Sequence, residues 1–400
     1  MIVRKKDLMF YIVLVGLVLS QIISGFSGSW EPIWSSYTYI QQTPTWVVWA
    51  SYLSKIILMY LSITLFFKYR NSIGSGLKLA MYITLLAFIC WTIISFREQE
   101  FKQIFFGSVS TTLILIPMMV FLGFDDGIWR ICQKCVPVLT WLFIAAFFVS
   151  TVSFVNQYGM IGTMNSPMKM FFAAAISCAW TFLFGDDKGK KSSYVISILL
   201  IIAAFITRSR SWLIHALLIL FLVILTSKRK IKGARIIVGA LGVALALLLV
   251  SSFFPELTSA LFDRGTEDSR SGQYLIFFSS CSFSDLIWGE GINAGYSYLG
   301  VDNYLYFDNQ WLFMLFHYGI PSIIGFIALA YSLYSRLPVT KKECSDIRAA
   351  RIDYTLLIIS YFGLSVYYNI IWGLYPLFIM INIGRALKIK YDRTYECMGE

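Results

Sequence analysis

The stretch LMFYIVLVGLVLSQIISGF, residues 8–26, decides the fold. Its nineteen residues carry no charge, and a helix of roughly that length, rising about 1.5 Å per residue, crosses the hydrocarbon core of a bilayer. Arg4, Lys5 and Lys6 precede it, as they would in a signal peptide. The apolar run is long, however, and no small-x-small cleavage pattern follows it cleanly, so it reads as an uncleaved first span.

Working outward, eleven further apolar windows fall near 45–67, 79–96, 103–123, 136–155, 168–185, 194–207, 211–227, 236–254, 311–335, 354–369 and 371–385. The close pairs 194–207/211–227 and 354–369/371–385 read as hairpins rather than single kinked segments, because charges flank their members. With 58% hydrophobic and only 14% charged residues among 400, the chain carries more apolar surface than a soluble domain of this size can bury. The expected fold class is an all-α polytopic membrane protein of about twelve transmembrane helices, a single domain over residues 1–400.

Basic residues resist translocation and so set orientation. Counted over alternate loops, one side holds 25 of the 33 Lys and Arg residues, in groups that begin at Arg4, Lys68, Arg130, Lys188, Lys228, Arg336 and Arg385. That side reads as cytoplasmic and contains both termini, which places a large periplasmic loop, residues 255–310, before the tenth helix. The net charge of +11 then follows from topology and from contact with anionic membrane lipids, and no nucleic-acid partner is expected.

Metal chemistry is not expected. The seven cysteines are scattered, and the one close pair, Cys132 and Cys135, reads as part of a plain cytoplasmic loop. There are only two histidines, His215 and His317, and no HExxH. Gly289 and Gly291 most simply allow a turn, since no strand, helix and third glycine follow in the order of a nucleotide fingerprint. No cofactor is expected.

Charges at a membrane rim are costly and are usually paired or functional. On the outer side they gather in two places. The first is the turn Thr207-Arg208-Ser209-Arg210-Ser211, where Arg208 and Arg210 either snorkel to lipid phosphates or form a fork for an anionic ligand. The second is the 255–310 loop, with Arg264, Arg270, Asp285, Glu290, Asp302 and Asp308. A loop of this length is unlike a structureless connection. Its many Tyr and Trp side chains fit either an interfacial aromatic belt or the stacking of sugar rings.

Asp308 and Asn309 directly precede the span at Trp311. Two readings stand: a helix cap, or a carboxylate that accepts a proton from an acceptor hydroxyl. His215 lies seven residues after Arg208, on one face if helix runs through both. His317, nine residues after Asp308, would lie on the opposite side of a common helix. Lys55, near the middle of span two, either pairs with a carboxylate or binds phosphate from the bilayer side.

These residues resemble the O-antigen polymerase (Wzy) and O-antigen ligase superfamily. The resemblance rests on Ser209-Arg210-Ser211 opening a span, then Asp268-Ser269-Arg270, an aromatic-rich segment and Gly289-Glu290-Gly291. It continues with Asp308-Asn309 leading into a span that holds Tyr318-Gly319-Ile320. It covers roughly residues 207–330; the first 200 residues match only in hydrophobic organisation.

The resemblance implies a GT-C-like glycosyltransferase of the bacterial cell inner membrane, independent of metal and of nucleotide sugars. Its site would face the periplasm and take undecaprenyl-diphosphate-linked oligosaccharides. A chain-length regulator and a flippase of the same pathway are the implied partners. Arg210 and Arg270 correspond to diphosphate-binding arginines, and Asp308 stands where ligases usually show histidine, which favours polymerase over ligase. Asp308, Arg210 and Arg270 are the expected catalytic set; Arg208, Asn309, Arg264, Lys55, His215 and Gly291 are the expected substrate contacts. The rival of another class is a lipid-linked oligosaccharide flippase. Against it, Lys55 is the only basic residue well inside a span, and no matching broken segments recur in two halves.

Overall fold

The computed structural model describes residues 4–33, 36–107, 109–158, 167–184, 191–206, 210–226, 269–298, 301–305, 307, 309–335 and 374–398, with scattered positions between 347 and 358. The expected span at 236–254 and residues 359–373 lie outside the described residues.

Helices α1 (Lys5–Phe26), α2 (Thr45–Tyr69) and α3 (Ser75–Ser95) follow the first three apolar windows. Among the described residues, five stretches are long and apolar enough to cross a membrane: Lys5–Phe26, Thr45–Tyr69, Ser75–Ser95, Phe101–Gly123 and Asp126–Asn156. Within its apolar window α3 buries only 28% of its residues, and α1 and α2 bury 39% each. Side chains such as Leu53, Leu79 and Leu86 point outward, and apolar area on this scale needs lipid to cover it. The chain is a helical membrane protein.

Two compact units emerge: Met1–Val13, Tyr52–Arg130 and Asp268–Glu400 form one, and Leu14–Ser51 with Ile131–Glu267 forms the other.

In the first unit the fourth window is the core rather than a lipid-facing rod, with 82% of it buried. It is not one helix. A short α4 (Phe101–Phe106) gives way to a nine-residue 3-10 helix, Thr111–Met119, and then to α5 (Val120–Gly123). Ser110 caps the 3-10 segment by accepting from the Thr112 N–H, and Pro117, which lacks an N–H, lies inside it. Its buried hydroxyls find partners close by: the Oγ1 atoms of Thr111 and Thr92 lie 3.2 Å apart. The last described helix, α14 (Leu374–Met398), crosses α5 backbone to backbone. A Cβ on Gly384 would collide with the Val120 backbone, and one on Gly123 with that of Ile381 and Arg385. Small residues permit this approach where no hydrophobic effect drives helices together.

In the second unit, α7 (Pro167–Phe184), α8 (Lys191–Ile206) and α9 (Arg210–Thr226) pack on one another. The rings of Phe172 and Trp212 stack at 4.3 Å. The 194–227 stretch is therefore a helical hairpin and not a kinked rod. A β-hairpin, β1 (Gly28–Ile33) with β2 (Ser36–Gln41), follows α1 in the chain and had no counterpart in the periodicity of the sequence.

Three further expectations need correction. Helix α6 runs Asp126–Tyr158, starting ten residues before its apolar window at 136. Cys132 and Cys135 are consequently helical rather than in a loop, with Cys132 buried. The window 311–335 is broken into α12 (Gln310–Tyr318), a 3-10 turn (Ile320–Ser322) and α13 (Ile324–Tyr334). Gly319, at φ +69°, ends α12, and Pro321 follows it. Finally, α14 continues past residue 385, where its apolar run stops, to Met398.

Candidate functional site

The long loop is built, not slack. Within it lie α10 (Ser269–Ser280), α11 (Phe283–Trp288) and a second hairpin, β3 (Tyr296–Tyr298) with β4 (Val301–Tyr304). Ser282 starts α11 through a reciprocal cap: its Oγ accepts from the Asp285 N–H at 3.3 Å, and Asp285 Oδ2 accepts from the Ser282 N–H at 2.7 Å. Those hydrogen bonds hold the Asp285 carboxyl below its ordinary range, so this acid is a structural fixture. Burial, with Asp285 adding repulsion, pushes the Glu290 carboxyl up.

Helix α12 organises the site. At its start Asn309 is the cap: its Oδ1 accepts from Trp311 N at 2.8 Å and Leu312 N at 3.3 Å. Its Nδ2 donates to the Tyr274 hydroxyl on α10 at 2.8 Å. Both ends of the amide are thus engaged and Asn309 is 4% exposed, so it positions its neighbours. Arg270 stands one helical turn before Tyr274 on α10, and positions four apart share a face. The Tyr274–Asn309 bond therefore fastens the helix that carries Arg270 to the residue that follows Asp308.

At the other end of α12, the carbonyls that helix geometry leaves unpaired are taken by the Gly289–Gly291 segment. Glu290 N donates to Phe316 O at 2.7 Å, and Gly291 N donates to His317 O at 3.0 Å. His317 returns the contact, with Nδ1 2.7 Å from Gly291 O and Nε2 3.0 Å from Leu305 O. Gly289 has φ +80°, and a Cβ there would meet the His317 carbonyl group and Tyr318 N at 2.6 Å. Gly289 thus serves a close backbone approach, beyond the turn the sequence implied.

The loop aromatics divide into two sets. Tyr296 stacks on Phe307 at 4.6 Å, and Phe307 meets Phe316 edge-on at 5.2 Å. This is core, and Tyr296 is 7% exposed. Trp288 is exposed, and Tyr298 and Tyr304 are half-buried, so these are among the described rings able to stack on a sugar.

The sequence-derived site residues are accounted for as follows. Arg270, Asn309 and Gly291 belong to one unit, with Asn309 at the start of α12, Gly291 against its end and Arg270 on α10. Arg210 begins α9, and His215, buried, lies five positions later on the same helix in the other unit. Lys55 is half-buried on α2 and makes no ion pair or hydrogen bond with a described residue. Arg208, Arg264 and Asp308 lie outside the described residues. Sequence reasoning counted Tyr274 only as one of the loop aromatics and gave no role to Gln310, whose buried Nε2 has no hydrogen-bond partner among the described residues. Among the described residues no group of three His, Cys, Asp or Glu side chains is placed to hold a metal ion. No family model matches the chain, and no curated protein or solved structure matches it.

Proposed function

We propose that this chain is a polyprenyl-diphosphate-dependent glycosyltransferase that polymerises a bacterial surface polysaccharide. The observation that carries the reading is the Asn309–Tyr274 hydrogen bond of 2.8 Å. Through it α10, on which Arg270 lies, and the start of α12, two segments remote in sequence, share one anchor. Transfer from a lipid diphosphate requires a cation for the leaving group and a base for the acceptor, the roles this reading gives to Arg270 and Asp308.

In this reading the acceptor sugar hydroxyl of a lipid-linked repeat unit attacks the anomeric carbon of the growing glycan. The bond from that carbon to the diphosphate oxygen breaks, and undecaprenyl diphosphate leaves with the electron pair. Asp308 takes the hydroxyl proton. Arg270, with Arg210, stabilises the charge that develops on the diphosphate, a contribution strengthened where water is excluded. Arg208, Arg264 and Lys55 are further contacts for the anionic lipid substrate. The protein would hold about twelve spans in a GT-C-like arrangement in the inner membrane, with cytoplasmic termini and a periplasmic site.

The test is deletion of the gene in its host, complementation with wild-type, Arg270→Ala or Asp308→Asn protein, and electrophoresis of the surface polysaccharide. Loss of the ladder with a single repeat unit still attached to the lipid core supports a polymerase. Loss of every repeat, with lipid-linked polymer accumulating outside, would mean a ligase, and single lipid-linked units trapped inside would mean a flippase. Ladders unchanged by both variants at equal expression would overturn the assignment of these residues.

A further inference from the structure

Three helix termini of the first unit converge on one buried carboxylate. Lys6 lies in the first turn of α1, Lys68 in the last turn of α2, and Asp125 caps α6. Asp125 is 1% exposed. Its Oδ1 accepts from the N–H groups of Gly127 at 3.0 Å and Ile128 at 3.4 Å, and Arg4 Nη2 stands 3.6 Å away. Its Oδ2 pairs with Lys6, with Lys68 Nζ at 3.9 Å and the Tyr69 hydroxyl at 3.5 Å. One negative charge is shared by three cations, and its acceptor capacity is spent.

Of the neighbouring carboxylates only Asp7 adds to the balance, so Arg4, Lys6 and Lys68 face two carboxylates, Asp125 and Asp7. Asp7 pairs with Arg4 at 3.0 Å, while Asp126 is taken by Arg385 at 2.5 Å and Lys388 at 2.9 Å. Arg70 and Lys78 bond to the neutral Tyr82 hydroxyl and Asn71 amide oxygen. Arg4 and Lys68 keep 49% and 54% of their side chains exposed. An Arg has five N–H donors and a Lys three, so both retain unused ones. Apolar side chains lie beside them: Leu8 and Ile12 on α1 and Phe67 on α2 are 53%, 44% and 41% exposed. Free cationic donors bordered by bare apolar surface at span ends match an amphipathic anion better than a soluble one.

We propose that Arg4 and Lys68 form a binding site for the headgroup phosphate of an anionic phospholipid, whose acyl chains lie along Leu8, Ile12 and Phe67. The site is separate from the α10–α12 cluster and does not depend on the proposed activity.

The test is thermal unfolding of the full chain in a neutral detergent with added phosphatidylglycerol, phosphatidylcholine or inorganic phosphate. Phosphatidylglycerol is expected to raise Tm by about 3 °C or more, by mass action on the folded state. The other two should leave Tm unchanged. The double variant Arg4→Gln/Lys68→Gln, which keeps the Lys6–Asp125 pair, should lose the rise. Should that variant not fold, wild-type protein in about 0.5 M NaCl serves instead, where screening should abolish the rise. An equal rise with phosphatidylcholine, the same rise with inorganic phosphate alone, or a rise that survives both the variant and the salt would each overturn the proposal.

Discussion

Gly291 and His317 hold each other in both directions: the Gly291 N–H donates to the His317 carbonyl at 3.0 Å, and His317 Nδ1 lies 2.7 Å from the Gly291 carbonyl oxygen. With Nε2 at 3.0 Å from Leu305 O, the ring ties two stretches of the long loop to α12. His317 is fully buried, so its removal leaves one of the two carbonyl groups without its ring N–H donor. His317→Ala is expected to cost about 1–3 kcal/mol and to raise hydrogen exchange at residues 289–293 while α3 stays protected. An exchange pattern unchanged in that segment would contradict the tie.

The two glycines of that segment should differ in their tolerance of a methyl group. Gly289→Ala places Cβ 2.6 Å from backbone atoms of His317 and Tyr318, whereas Gly291→Ala meets only Trp91, at 3.5 Å. Both have positive φ, at 80° and 101°, so each carries backbone strain of order 1–3 kcal/mol, and Gly289→Ala adds a collision with atoms that cannot move aside. Gly289→Ala should therefore lower Tm clearly more than Gly291→Ala. Equal losses would mean that the close approach is not what selects glycine at 289.

Tyr274→Phe keeps the ring and removes the hydroxyl that accepts from Asn309 Nδ2 at 2.8 Å. The cap from Asn309 Oδ1 to Trp311 and Leu312 remains, so the stability loss should stay near 1 kcal/mol. If α10 must be held against α12 for glycan transfer, polymer yield falls well beyond that change in stability. Yield that tracks protein abundance alone would make Tyr274 purely structural.

Lys390 gives a pH dependence. It lies on α14 beyond the apolar run and donates to Ser332 O at 2.5 Å and to Ser335 O and Oγ at 2.8 and 2.9 Å, closing the end of α13. Burial, with Arg351 adding repulsion, pushes its amine down to about 8 from 10.5. Between these values the unfolded chain binds more protons than the folded one, so stability rises with pH from about 8 to 10.5. A wild-type Tm that climbs over that window relative to Lys390→Met, with parallel behaviour below it, is the expected result.

Much of this architecture was legible in one dimension. Residues 8–26, 45–67 and 79–96 became α1, α2 and α3 because an uncharged run of span length has few states open to it in a membrane: its backbone must satisfy itself, and the helix does so within the segment. The density of charges and aromatics in the 255–310 loop likewise pointed to structure, which its described part from Ser269 onward has. The breaks at 107–110 and at Gly319 were not legible, because hydropathy sums side chains and is blind to whether the backbone turns.

What the sequence determined by itself, then, is the solvent this protein needs, since that follows from composition and local order. Tertiary structure alone decided which residues meet. That Asn309 caps α12 and bonds Tyr274 could not be read from its type, and the glycines at 289 and 291 could be read as a simple turn until α12 was found against them. Hydrogen bonds between residues 35 and 26 positions apart depend on how the chain returns to itself, and no local pattern of residue types encodes that return.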